Sequence, residues 1–276
     1  MPSMPVTIED ISNAVIELGL SNKPVCIHSS LRSFGYVDGG AGTVIQGFLN
    51  QNCTVVVPTF SSIFAVDPPL DQRPLRNGCG DYSWFNNNIR TENNYIFSDN
   101  SNEIDKGMGA IPATVLNAKS RKRGNHPLNS FAAVGPLSEE LISGQQPMNV
   151  YAPLKSLVQL NGVVLLMGIG LENLTLFHLA EEIAGRKLFR RWAKDSFGLT
   201  IQVEVGGCSD GFINFQEIVS PISKNMVIGE SIWQMYYAEP ILKIAEQAIY
   251  HDQSITHCGN SKCERCNDAV SGGPIV

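Results

Sequence analysis

His178 lies in the stretch Leu174-Thr175-Leu176-Phe177-His178-Leu179-Ala180-Glu181-Glu182, whose apolar residues repeat at helical spacing. Glu181 and Glu182 follow it by one helical turn, the spacing at which side chains meet. A histidine oriented by a carboxylate can take a proton near neutral pH. A core histidine satisfied by Glu182 would carry the same pattern. One histidine with two glutamates on one helix does not complete a metal-ligand set.

Two other histidines stand beside strand-like runs. His28 ends PVCIH and precedes Ser29 and Ser30. Neighbours on a strand point to opposite faces, so His28 is poorly placed to activate Ser29 and reads as a hydrogen-bonded strand-end residue. His126, in NHPLNSF, is biased to an extended conformation by Pro127. It is either a ligand contact or a hydrogen bond that fixes the loop. In the tail, THCGNSKCERCNDAV places His257, Cys258, Cys263 and Cys266 in a C-x4-C-x2-C spacing with an adjacent histidine. That set could hold a structural zinc ion; free thiols on a flexible tail are the alternative. There is no phosphate-binding P-loop, no complete G-x-G-x-x-G and no G-x-S-x-G elbow.

The elements that must position these residues follow an α/β order. Residues 7–19 read as a helix capped by Thr7, with Ile8, Ile11, Val15 and Leu18 at helical spacing. PVCIH, a Ser- and Gly-rich loop, the helical TVIQGFLNQ and the Val-rich CTVVVPTF then make a strand–helix–strand unit. Residues 61–106, rich in Pro, Asn, Asp and Gly with scattered aromatics, read as an ordered lid or pocket wall. GAIPATVLNAKSRKR resumes a helix, SFAAVGP and GVVLLMGIG are strands, and residues 186–228 alternate as antiparallel strands do. ESIWQMYYAEPILKIAEQAIY reads as a final helix kinked or split at Pro240. The expected fold is a single α/β domain over residues 1–250, with a central mixed, partly parallel sheet flanked by helices. To it are added the irregular insertion, antiparallel C-terminal strands and a Cys-rich extension over residues 251–276. In such sheets ligands sit where strands end and loops enter helices, so His28 to Leu31, Pro58 to Phe60 and Gly168 to Gly170 should line one crevice.

Composition limits the partners. At 43% apolar and 17% charged, the chain has the make-up of an ordinary globular protein. Its formal charge of -6 argues against a nucleic-acid partner. The one basic run, Lys119 to Arg123, is either a small phosphate site or a solvated helix end. No apolar run reaches bilayer length, and Met1 to Glu9 lacks the pattern of a signal peptide, so no membrane partner is expected. Seven cysteines, an odd number, do not make a disulfide framework and fit a reducing cytoplasm.

Six segments in order, VCIHSSLRSFGYVDGGAGTVIQGFL, TVVVPTFS, KGMGAIPATVL, NHPLNSFAAVGP, GVVLLMGIGLENLTLFHLAEE and VEVGGCSDGFINF, resemble the aminoglycoside 3-N-acetyltransferase (antibiotic N-acetyltransferase) family. The resemblance covers about residues 25 to 215. It implies direct acetyl transfer from acetyl-coenzyme A to an amine of an aminoglycoside or related amino-sugar, hence antibiotic resistance, with His178 as general base. It implies that Glu204, or failing that Asp210, orients His178. It brings Ser29, Ser30, Leu31, Arg32, Ser33, Gly109, Ala110, His126 and Ser130 to coenzyme A. The basic run could meet the cofactor's phosphates. Asp67, Asp81, Asp105, Glu181 and Glu182 suit a polycationic acceptor. The segment DYSWFNNNIRTENNYIFSDN, Phe60 and the Cys-rich C-terminus depart from the family pattern. They leave open an amino-sugar intermediate of polysaccharide synthesis as acceptor, or a coenzyme A-binding protein without turnover.

Overall fold

The computed structural model describes residues 4–79, 82 and 95–276. Asp81 and most of the DYSWFNNNI segment lie outside the described residues. The chain runs through α1 (Ile8–Glu17), β1 (Pro24–Ser29), α2 (Gly40–Leu49), β2 (Thr54–Pro58), α3 (Ala110–Leu116), β3 (Lys122–Arg123) and β4 (Phe131–Val134). It continues with α4 (Ser138–Ile142), α5 (Ala152–Gln159), β5 (Val163–Met167), α6 (Leu176–Ile183), β6 (Phe189–Lys194) and β7 (Thr200–Val205). It closes with α7 (Gln216–Val219), β8 (Lys224–Ile228), β9 (Ser231–Tyr237), α8 (Ala238–His251) and α9 (Glu264–Val270).

Seven strands form a mixed sheet in the order β3-β4-β2-β1-β5-β9-β8. β1 pairs parallel with β2 and β5, and the remaining pairs in this sheet are antiparallel. The parallel centre explains the unbroken apolar runs, since helices cover both faces. Along β1, β2 and β5 the pleat sends Cys26, Val56, Val164 and Leu166 into a core with α5, α6 and α8. It sends Ile27, Val57, Leu165 and Met167 into a second core with α1, α2 and α3. β6 and β7 form a separate antiparallel ribbon over a smaller core of Phe64, Phe97, Leu128, Phe189 and Val203.

The Thr7 cap is present as a reciprocal capping box, Thr7 Oγ1 accepting from the Asp10 N–H and the Asp10 carboxylate accepting from the Thr7 N–H. Two expectations need correction. Ser231–Tyr237 is a strand, not the start of a kinked helix, and alternate residues Ser231, Trp233 and Met235 are buried between β5 and β8. The helix begins at Ala238, so Pro240 sits in its first turn, where a missing N–H breaks no helical hydrogen bond. The helix through GAIPATVL ends at Leu116, and Lys122–Arg123 form a short edge strand. Arg123 is buried and donates to Thr59 O, Ser61 Oγ, Ser101 O, Glu103 O and Ser130 Oγ, while Lys122 pairs with Glu139. The basic run therefore stitches loops together.

Leu165 is fully buried at the sheet centre. Leu165→Ala should lower unfolding stability by about 2–5 kcal/mol, read as a fall in denaturant midpoint. A loss well under that range would mean that this core collapses around the deletion.

Candidate active site

The parallel strands β1, β2 and β5 end at one edge of the sheet, and their following loops line a cleft of about 1730 Å³. A single drug-sized ligand usually occupies about 300–1,000 Å³, so two substrates can share this space. His28, Ser29, Ser30, Leu31 and Arg32 enter from β1, Pro58 and Phe60 from β2, and Ile169, Glu172, Asn173, Thr175 and His178 from β5 onward. Asp105, Lys106, Gly109 and Ala110 add the turn before α3.

His178 stands in the first turn of α6, only 7% exposed, and lines this cleft. Its Nδ1 lies 2.7 Å from Glu181 Oε2. A carboxylate can only accept, so Nδ1 carries the proton and the lone pair is on Nε2. Among the described residues Nε2 makes no hydrogen bond. Glu181 is 5% exposed, and its second oxygen accepts from Arg186 Nη1 at 2.6 Å. Arg186, also 5% exposed, donates to Thr256 Oγ1 and to the backbone and side chain of Gln253. The buried carboxylate is thus neutralised on one side while it orients the imidazole on the other.

The ring is boxed in. Tyr151 stacks on it at 6.1 Å between centroids and 11° between planes, and Phe212 meets it edge-on at 4.8 Å. Gly206 closes the remaining side: a Cβ there would lie 2.7 Å from His178 Cδ2 and 2.5 Å from the Tyr151 hydroxyl. The Tyr151 hydroxyl is buried at the cleft wall and, among the described residues, has no hydrogen-bond partner. Burial, then the charges of Glu181, Glu182 and Glu204, hold it well above the usual phenol range, so it stays a donor.

The sequence-derived set divides. Ser29, Ser30, Leu31, Arg32, Gly109, Ala110 and Asp105 reach the cleft with His178. Glu204 does not supply the carboxylate on His178; it is bound by Arg190 Nη1. β7 places it where its backbone also ties down a loop, its C=O accepting from His126 and its N–H donating to Pro147 O. Asp210 is exposed, at the turn that carries Phe212. Glu181 is no acceptor wall but the buried partner of His178, and Glu182 faces Lys155. Asp67 lies outside the cleft lining, and Asp105 caps Ser62 through its N–H and hydroxyl. Ser33 bonds Ser30 O and Ser231 Oγ, and Ser130 bonds Thr59 and Arg123; neither lines the cleft.

His126 is fully buried and fixes its loop. Nδ1 accepts from the N–H groups of Leu128 and Asn129, and Nε2 donates to Glu204 O. In the tail, His257 is not part of the cysteine cluster; its nitrogens bond Asn267 Oδ1 and the Gly259 N–H. The fourth thiol beside Cys258, Cys263 and Cys266 is Cys208, all four sulfurs lying within 4.8 Å of one another. Sequence reading missed Cys208, Tyr151, Arg186, Lys106 and Glu172. Only Arg186 carried a local signal, five residues after Glu181.

A family model for aminoglycoside 3-N-acetyltransferases matches residues 26–227. The chain belongs to the aminoglycoside 3-N-acetyltransferase family. The aminoglycoside N(3')-acetyltransferase-like protein YokD of the SPbeta prophage in Bacillus subtilis is 32% identical over 200 residues, 69% of this chain and 71% of YokD. Aminoglycoside N(3)-acetyltransferase IX of Micromonospora chalcea is 32% identical over 187 residues, 65% of this chain and 63% of its own length. The crystal structure of YokD matches with a TM-score of 0.77 at 25% identity, covering 91% of this chain and 96% of YokD. The same fold is seen at 21% identity in an AAC(3)-IVa variant complexed with gentamicin, with a TM-score of 0.77 and 99% of each chain covered. It is seen again at 19% identity in AAC-IIIb with CoASH, with a TM-score of 0.72 over 90% of this chain and 97% of the other.

Arg186→Met leaves the Glu181 carboxylate buried without its cation and should cost about 3–5 kcal/mol by chemical denaturation. Little change would show that water reaches Glu181. Burial also lowers the His28 and His126 pKa values to about 4, against 6.5 for a free histidine. The folded state resists their protonation, so stability should fall as pH drops from about 6.5 to about 4, by an amount on the order of 3 kcal/mol for His126. His126→Asn should flatten that slope; an unchanged slope would assign the acid lability to other groups.

Proposed function

We propose that this chain transfers the acetyl group of acetyl-coenzyme A to an amine of an aminoglycoside or related amino-sugar, with His178 as general base. The observation that carries this reading is the His178 ring itself. Glu181 fixes its tautomer, Nε2 makes no hydrogen bond among the described residues, and the residue lines a cleft large enough for donor and acceptor together.

The amine nitrogen attacks the thioester carbonyl once it can present its lone pair. Nε2 takes the proton released as the N–C bond forms, and Glu181 with Arg186 holds the resulting imidazolium. As the C–S bond breaks, the same Nε2–H can return the proton to the departing sulfur. The Tyr151 hydroxyl offers a donor beside the base. The exposed cations Arg32 and Lys106 suit the phosphates of coenzyme A, and Asp105 and Glu172 on the lining suit a polycationic acceptor. Direct attack needs no acyl-enzyme, and no cysteine lines the cleft among the described residues.

Release of coenzyme A thiol from acetyl-coenzyme A, measured against a panel of aminoglycosides and amino-sugars, tests the activity and separates antibiotic from biosynthetic acceptors. No release with any amine would leave the coenzyme A-binding alternative. His178→Ala should lower kcat by about 10²–10⁴-fold with coenzyme A affinity retained. Glu181→Gln should lower kcat more than it alters KM, whereas Glu204→Gln should keep near-full kcat. The opposite ranking of the two glutamates would restore Glu204 as the orienting group.

A further inference from the structure

We propose that Cys208, Cys258, Cys263 and Cys266 form a four-thiolate zinc site that locks the C-terminal segment onto the loop facing the catalytic histidine. The four sulfurs come from two regions far apart in sequence and lie within 4.8 Å of one another. Tetrahedral zinc with Zn–S bonds of about 2.3 Å sets sulfurs about 3.8 Å apart, so a contraction of about an ångström completes the site. Cys266 and Cys208 are buried, and Cys258 and Cys263 are half-buried, as expected of a closed structural site. The Cys258 N–H donates to Cys266 Sγ at 3.4 Å, a contact that stabilises a thiolate. Cys263 caps α9 and Cys266 lies in its first turn, so the C-x-x-C pair has a rigid frame.

The surrounding contacts show what such an ion would hold. Asn214 Nδ2 donates to Ile255 O and His257 O, and a Cβ on Gly211 would lie 2.2 Å from Thr256 O. The tail is therefore packed tightly on the turn after Cys208. That turn carries Phe212, and Gly206 just before Cys208 touches the His178 ring. The tail also supplies Gln253 and Thr256, the anchors of Arg186. An ion across the four thiolates would fix both supports of the His178–Glu181 pair without touching substrate.

The test uses the full chain, purified under reducing conditions without a metal-affinity tag. Elemental analysis should find about one zinc per chain, and cobalt replacement should give the intense visible bands of a tetrahedral thiolate complex. Cys208→Ser should lose most of the zinc, while His257→Ala should keep it. Removal of zinc with a chelator should lower the thermal midpoint and reduce kcat; zinc, but not magnesium, should restore both. Should Cys208→Ser not fold, the cobalt spectrum of the unmutated chain decides between four-sulfur ligation and a histidine-containing set. Protein free of zinc that gains no thiolate spectrum with cobalt would overturn the proposal. So would zinc retained by Cys208→Ser but lost from His257→Ala. Metal content and cobalt spectrum are read without any acceptor, so failure of the acetyltransferase reading would leave this result intact, and the reverse.

Discussion

The site depends on one buried carboxylate with two partners. Glu181 binds the His178 Nδ1–H with one oxygen and the Arg186 guanidinium with the other. A carboxylate buried to this degree is costly without a cation, and an imidazole without a partner has no fixed tautomer. Each bond thus makes the other tolerable. The helical i, i+3 spacing puts Glu181 against the ring, and the chain reversal after α6 brings Arg186 to its far side.

The supports of this triad lie in three separate parts of the chain. α5 brings Tyr151 over one face of the ring, the turn after β7 brings Gly206 and Phe212, and the end of α8 leads to Gln253 and Thr256 behind Arg186. The segment after His251 is therefore integral to the site. It adds to the body through further contacts, including Arg76 to Ser271 O and Gly273 O and the Gly78 N–H to Asp268. The parallel strands fix the other wall, because their ends fall at one level and their loops converge on the cleft.

The strands of the parallel centre were legible because burial on both faces writes a continuous apolar run, and α1 because Thr7 and Asp10 mark its start. β9 was misread because IWQMYY carries large apolar residues that fit either period, and its proximity to Pro240 suggested a kink. His178 was legible in type and place, whereas its partner was not. Glu181 stood one turn away, yet helical spacing alone does not tell which of two adjacent glutamates turns inward; packing against Arg186 decides it. His126 and Ser130 sat in a segment that pointed to the cofactor, but their polar atoms are consumed by loop hydrogen bonds. Cys208 was invisible as a partner of the tail because the contact spans fifty residues, and only tertiary structure closes it.

Glu181 holds His178 with Nδ1 protonated, and among the described residues Nε2 makes no hydrogen bond. Nitrogen NMR of the histidine side chains at neutral pH, assigned with His178→Ala, tests it directly. The expected result is an Nδ1–H tautomer for His178 that is lost in Glu181→Gln and kept in Glu204→Gln. An Nε2–H tautomer, or a His178 signal indifferent to Glu181 and altered by Glu204→Gln, would contradict it.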